Sequence, residues 1–150
     1  MKRGGFTLLE VMIAAAVLVV ALLGLLGVFT NCFGLNETAR NLTIAINGAQ
    51  ERLEQIRNAD FGTIIANYNG PFNVSGLDGI GRVDATYVAG SNNNLIDTRV
   101  VICWRQGRNR IIGEDINLNG NLDAGEDVNP TNGSLDSPAQ LVTLITEKEQ

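Results

Sequence analysis

The first third of the chain carries a continuous hydrophobic stretch. From Phe6 to Phe29 the only polar side chains are Thr7 and Glu10. As a helix rising ~1.5 Å per residue, this run of about 24 residues is long enough to cross a hydrocarbon layer of ~30 Å. The pattern therefore predicts a membrane helix over residues 6–30.

After Asn31 the chain turns polar, but apolar residues still recur three or four positions apart, which is typical of an amphipathic helix. The stripe comprises Leu35, Ala39, Leu42, Ile46, Ala49, Leu53 and Ile56. No proline interrupts it, so one helix is predicted from Phe6 to Arg57, with residues 31–60 as its amphipathic part. The stripe can serve a partner helix, but packing on the protein's own sheet is favoured because a small sheet needs a cover.

Residues 61–150 are predicted to form a small antiparallel β domain. Residues 61–80 are expected to be loop-like, apart from a short strand at 72–74. Further strands are predicted at 82–88, 97–105, 110–112 and 141–146. Both faces of the 97–105 segment are apolar, which places it at the centre of the sheet. The expected fold is α+β, a long amino-terminal helix packed on this sheet.

Composition excludes several classes of function. The chain has no histidine and only two cysteines, which excludes zinc fingers and histidine-based catalytic triads. Cys32 on the helix and Cys103 in a strand are expected too far apart to pair. The net charge of −5 argues against non-specific nucleic-acid binding. No enzyme active site is predicted.

The flanks of the membrane segment set its orientation. Lys2 and Arg3 precede it, and the next basic residue is Arg40, so the amino terminus is expected in the cytoplasm. The segment is too long for an ordinary secretory signal. Glu10 inside it costs at least ~2.5 kcal/mol on insertion, which indicates a function. Its natural partner is a free amine at Phe6, which exists only after cleavage behind Gly5.

The stretch GG-FTLLEVMIA after a short basic leader resembles the class III signal of type IV prepilins and type II secretion pseudopilins. This resemblance implies that prepilin peptidase removes residues 1–5 after Gly5 and that Phe6 is N-methylated. Glu10 would then pair with the Phe6 amine of a neighbouring subunit. The implied fold is pilin-like. The implied location is the inner membrane, crossed once with the carboxy-terminal domain in the periplasm, and then a filament at the cell surface.

A second motif lies in the β domain, within an insertion at residues 115–136. Residues 115–126 fit the calcium loop D-x-[DN]-x-[DN]-G-x5-E. The predicted Ca²⁺ ligands are Asp115, Asn117, Asn119, Asn121 through its carbonyl, Asp123 and Glu126. The alternative is an Asx-rich surface turn. Residues 127–136 repeat the rhythm without a closing glutamate, and are interpreted as a decayed repeat able to lend Asp127 or Asn129 to the first ion.

Three functions fit these features. The favoured one is a minor pilin-like structural subunit, whose partners are the peptidase, other pilin subunits and the inner membrane before assembly. A minor pseudopilin of a type II secretion system is the alternative within the class. A membrane-anchored, calcium-dependent adhesion or binding module is the alternative outside it, and it predicts that Glu10 is dispensable.

Overall fold

A computed structural model describes residues 7–107, 109–128 and 131–147. Its longest element is helix α1, Leu8–Arg57. The predicted helix and its end at Arg57 are thus confirmed, while Gly5 and Phe6 lie outside the described residues. The chain divides into two compact units, Met1–Glu37 and Thr38–Gln150.

The described part of the first unit is almost entirely helical, and every residue from Thr7 to Glu37 is exposed. Large aliphatic side chains dominate its surface, for example Leu8, Val20 and Leu23 with 79%, 70% and 63% of their areas exposed. In the described part of the chain α1 is the one helix long and apolar enough to cross a membrane. By length and composition it agrees with the predicted membrane helix.

The second unit contains one antiparallel sheet of five strands. These are β1 (Gly70–Asn73), β2 (Gly79–Tyr87), β3 (Leu95–Gln106), β4 (Arg110–Ile112) and β5 (Ala139–Thr146). Strand β3 is central: it pairs with β2 along one edge and with β4 and β5 on the other. This confirms the central position predicted from its two apolar faces.

Several local expectations were wrong, among them the strand expected at 72–74, which is observed as Gly70–Asn73. Residues 61–68 are helical rather than loop-like, as a 3₁₀ turn (Phe61–Thr63) followed by α2 (Ile64–Tyr68). A five-residue helix is too short to show a period, although Ile64 is buried. Strand β2 also begins at Gly79, earlier than predicted. The prediction missed this start because Gly81 has no side chain to show the strand pattern. The ring of Phe72 fills the space beside Gly81.

The second half of α1 covers one face of the sheet. Its buried residues are Ala45, Ala49, Leu53 and Ile56, and they join a core with β2, β3 and β5. Packing on the protein's own sheet is therefore confirmed from Leu42 onward. The predicted stripe began too early, because Leu35 and Ala39 are exposed. Ala45, which the stripe omitted, lies about one helical turn before Ala49 and is also buried in this core.

A second, smaller core lies on the opposite face of the sheet. There Val101 and Cys103 of β3 are buried against Leu135, with Leu118 and Leu122 packed beside them. All three leucines belong to the 115–136 insertion between β4 and β5. The insertion is therefore fastened to the sheet face that α1 leaves open.

Candidate functional site

The start of α1 shows how Glu10 is held. The Thr7 N–H donates to Oε2 of Glu10 at 3.4 Å, and the Glu10 N–H is 3.3 Å from Oγ1 of Thr7. This reciprocal pair is a capping box, in which Thr-x-x-Glu satisfies amide groups left without partners at a helix start. Glu10 therefore has a local structural role that the sequence prediction did not include.

The predicted calcium loop, residues 115–126, is called loop A below. It begins with Asp115, which is fully buried. Its Oδ1 accepts the Asn119 N–H at 3.1 Å and its Oδ2 accepts the Gly120 N–H at 2.7 Å. Gly120 has φ of 72°, a conformation that glycine adopts without strain. The Asp115 carboxylate thus holds the first half of loop A in place through two backbone hydrogen bonds.

Glu126 closes loop A from its other end. It is 4% exposed, and its Oε1 and Oε2 accept the N–H groups of Ile116 and Asp123, both at 2.9 Å. The last residue of the motif is therefore tied to the second and ninth positions. Its predicted role as a bidentate Ca²⁺ ligand stays a prediction.

Two asparagine side chains of loop A donate hydrogen bonds to Asp123. Its Oδ2 accepts Nδ2 of Asn117 at 2.8 Å and Nδ2 of Asn119 at 2.7 Å. Hydrogen bonds from Asn117 first, and then from Asn119, lower the pKa of the Asp123 carboxyl. Loop A thus favours the ionised form of Asp123 and directs the positive ends of two amide dipoles at it.

Asn121 takes part differently from its neighbours. Its side-chain oxygen lies 3.4 Å from Nη1 of Arg82, which also donates to the Gly120 carbonyl at 2.8 Å. Arg82 extends from β2 and is itself paired with Asp84 at 2.6 Å. The arginine therefore anchors loop A to the sheet without contacting a carboxylate of the loop.

The three acids of loop A accept hydrogen bonds from different groups of the loop. Within residues 7–107, 109–128 and 131–147, no three acidic or cysteine side chains gather closely enough to hold a metal by themselves. The predicted ligand set does not depend on such a group, since it adds two amide oxygens and one backbone carbonyl. Each carboxylate keeps unused lone pairs beyond the N–H bonds that it accepts.

Sequence reasoning missed the role of Glu114. Its carboxylate accepts N–H groups of the second repeat, residues 127–136, called loop B below. Residues 127–136 contain no closing glutamate of their own, as expected, and Glu114 from outside the repeat supplies one. Asp127 accepts N–H groups of loop B itself. Asn129 lies outside the described residues, so the suggestion that it serves loop A stays a prediction. A recurring Gly-Glu-Asp, at 113–115 and 125–127, was the available signal.

One comparison with known proteins bears on the amino terminus. Residues 1–26 match the family model of the prokaryotic N-terminal methylation motif. No curated protein and no solved structure matches the chain. The motif marks a type IV prepilin-like class III signal peptide, carried by a helix suited to a single-pass inner-membrane anchor.

Proposed function

We propose that the protein is a minor pilin-like structural subunit of a type IV pilus or related filament, and not an enzyme. The observation that carries this proposal is the methylation motif at residues 1–26, continuous with an exposed apolar helix. Such a surface is compatible with lipid before assembly and with the helices of other subunits afterwards. The structural role follows from this pairing of signal and helix.

Processing would occur at the cytoplasmic face of the membrane. Prepilin peptidase would cut between Gly5 and Phe6 and the new amine would be methylated, leaving Thr7 as the second residue of the mature chain. The basic leader favours a cytoplasmic amino terminus and a periplasmic domain. Loss of Lys2 and Arg3 with the leader reduces the basic side chains from 11 to 9 against 16 acidic ones, so the mature protein is more acidic.

Glu10 is the residue through which the filament role can be tested. Pairing with the Phe6 amine of a neighbouring subunit requires its negative charge. The capping box with Thr7 requires only an acceptor, and glutamine serves a capping box as well as glutamate does. Glu10→Gln therefore removes the charge and keeps the cap, whereas Glu10→Ala removes both.

The experiment measures incorporation of each variant into sheared filaments, with membrane insertion and processing followed in parallel. We expect both variants to be inserted and cleaved but absent from filaments. Thr7→Ala, which weakens the cap and keeps the Glu10 charge, is the matched control and should still be incorporated. Normal incorporation of Glu10→Gln would reject charge pairing, and normal incorporation of Glu10→Ala would favour a mere anchor.

Loop A completes the proposal as a structural Ca²⁺ site. Side-chain oxygens of Asp115, Asn117, Asn119, Asp123 and Glu126, and the carbonyl of Asn121, would hold the ion. The all-oxygen donor set suits Ca²⁺. Two of the carboxylates, Asp115 and Glu126, are buried. Because buried charges are costly unless they are compensated, a divalent cation would offset their repulsion and stabilise the loop.

Thermal unfolding of residues 38–150 tests the ion. A ligand that binds only the folded state stabilises it by about 2.7 kcal/mol at a hundredfold excess over its Kd. We expect Ca²⁺ to raise Tm, Mg²⁺ to have little effect, and Glu126→Gln to remove the response. Asp97→Asn removes an exposed carboxylate from the same sheet face and serves as the control. An unchanged Tm in millimolar Ca²⁺ would make loop A an ordinary Asx-rich turn.

A further inference from the structure

The described residues of loop B repeat several of the hydrogen bonds of loop A. Oδ1 of Asp127 accepts the Asn132 N–H at 2.9 Å and Oδ2 accepts the Gly133 N–H at 2.8 Å. These bonds correspond to those from Asn119 and Gly120 to Asp115. The first carboxylate of each loop therefore folds its chain in the same way.

The central asparagine is repeated as well. Nδ2 of Asn132 donates to Oδ2 of Asp136 at 2.8 Å, and its Oδ1 accepts the Ser134 N–H at 2.9 Å. In loop A, Asn119 makes the same two bonds, with Asp123 and with the Asn121 N–H. The two loops are therefore alike in side-chain hydrogen bonds as well, although the sequence of loop B matches the motif only in part.

The two closing glutamates come from different places: Glu126 is the last residue of the loop that it closes, whereas Glu114 belongs to neither loop. Glu114, which directly precedes loop A, closes loop B: its Oε1 accepts the Val128 N–H at 3.2 Å and its Oε2 accepts the Asp136 N–H at 3.1 Å. Glu126, which directly precedes loop B, closes loop A through the corresponding two amides. A backbone bond from the Glu114 N–H to the Asp136 carbonyl, 2.9 Å, is a further contact between Glu114 and loop B.

Each loop also has its own attachment to the sheet. Arg82 of β2 binds the Gly120 carbonyl of loop A, and Arg99 of β3 lies 3.5 Å from Oδ1 of Asp136 in loop B. Leu135 of loop B is 1% exposed, whereas Leu122, at the corresponding position of loop A, is half-buried. Leu135 is therefore packed more tightly against the sheet than Leu122.

We infer that the described residues of 114–136 (114–128 and 131–136) act as one coupled unit, in which Glu114 positions loop A by holding loop B. Glu126 and Asp127 are adjacent, so disorder in loop B displaces the residue that closes loop A. The inference extends the proposed Ca²⁺ site, and rests on it, by assigning regulation of that site to a residue outside the motif. Glu114 is a positioning residue here.

Amide hydrogen exchange in the calcium-free full-length chain, in detergent micelles, tests the coupling without any ion. Glu114→Gln keeps the size of the side chain and removes its charge. We expect it to speed exchange at Asn119 and Gly120 of loop A as well as at its own partners in loop B. Glu126→Gln should likewise speed exchange at Asn132 and Gly133. Faster exchange confined to the loop that each glutamate closes would overturn the inference.

Calcium titration of the same chains tests the regulation. We expect Glu114→Gln to raise the Kd of loop A at least about fivefold, the lower end of coupling between linked sites. Asp97→Asn should leave the Kd unchanged, and unaltered exchange in β3 and β5 would show that every variant is folded. An unchanged Kd in Glu114→Gln would refute the positioning role.

A second arm separates this inference from the proposed function. In the wild type, Ca²⁺ should slow exchange in both loops, and in Asp123→Asn, which damages loop A, the protection of loop B should disappear. Protection of loop B that persists in Asp123→Asn would show that loop B responds independently, and would overturn the coupling. Absence of any Ca²⁺ effect in the wild type would remove the proposed ion, while the calcium-free exchange data would still decide the coupling.

Discussion

Thr98 is a polar residue buried in an apolar core, and its replacement by valine should stabilise the protein. It lies on the α1-facing side of β3 with none of its surface exposed. Among the described residues its Oγ1 has no hydrogen-bond partner. A hydroxyl that is bonded to water in the unfolded chain therefore loses that bond on folding without replacement.

The expected gain follows from two contributions. An unsatisfied buried donor or acceptor costs about 1–3 kcal/mol. Valine has nearly the same shape and adds a buried methyl group, worth up to ~0.8 kcal/mol. Some of this gain is offset because the hydroxyl can rotate toward weak acceptors, so we expect Thr98→Val to stabilise residues 38–150 by about 1 kcal/mol. For a domain of this size that corresponds to a Tm rise of roughly 4 °C.

The assay is thermal and urea unfolding of residues 38–150, with Thr143→Val as the matched control. Thr143 faces Thr98 across the β3–β5 pair, but its Oγ1 accepts a bond from Nη2 of Arg57 at 3.4 Å. Losing that bond should leave stability unchanged or slightly lower. A lower or unchanged Tm in Thr98→Val would refute the reasoning, because it would show that the native hydroxyl is satisfied.

Three further predictions concern other parts of the chain. Leu135→Ala should cost about 3 kcal/mol, because the residue is fully buried, and Leu122→Ala clearly less, as measured by urea unfolding. Burial raises the pKa of the Cys103 thiol from 9.0 to about 11, so a maleimide at pH 8 should label Cys32 alone until the protein unfolds. Since the folded pKa is the higher one, this thiol's contribution to stability is complete below pH 9.0 and is lost as the pH rises toward about 11. Intact-mass analysis of membrane-extracted protein should find a chain that begins at methylated Phe6, and recovery of Met1 beside an active peptidase would contradict the cleavage.

Periodicity predicted the elements that bury a regular face. The end of α1 at Arg57 and the central place of β3 both follow from apolar residues at helical or strand spacing. Periodicity failed where a segment is short, as in α2, or where glycines replace side chains, as at the start of β2. In such segments neighbouring residues, such as Phe72 over Gly81, supply the packing that the local pattern lacks.

The 115–136 insertion shows a different limit. A motif predicts contacts between residues at fixed spacing, and the contacts of Asp115 and Glu126 within loop A have that form. The bond between Glu114 and Asp136 joins residues 22 positions apart. Glu114 itself lies just before the motif in the sequence. It depends on how two loops lie against each other on the sheet, which no single-loop pattern encodes.

The sheet of the second unit has the helix α1 on one face and the two loops on the other. One face is filled by the second half of α1, and the other carries both loops through Val101, Cys103 and Leu135. Loop A and α1 therefore lie on opposite faces of the sheet, with strands β2 and β3 between them. Substitutions at Glu126 should accordingly lower the Tm of the domain in Ca²⁺ while leaving membrane insertion and processing intact. Substitutions at Glu10 should do the reverse, changing filament incorporation while leaving the Tm unaltered. The Tm of the domain and the incorporation into filaments should be measured for substitutions at both residues. Together they distinguish an ion that only stabilises the domain from one that takes part in assembly. A direct assembly role predicts that Glu126→Gln is excluded from filaments even at temperatures where its domain is fully folded.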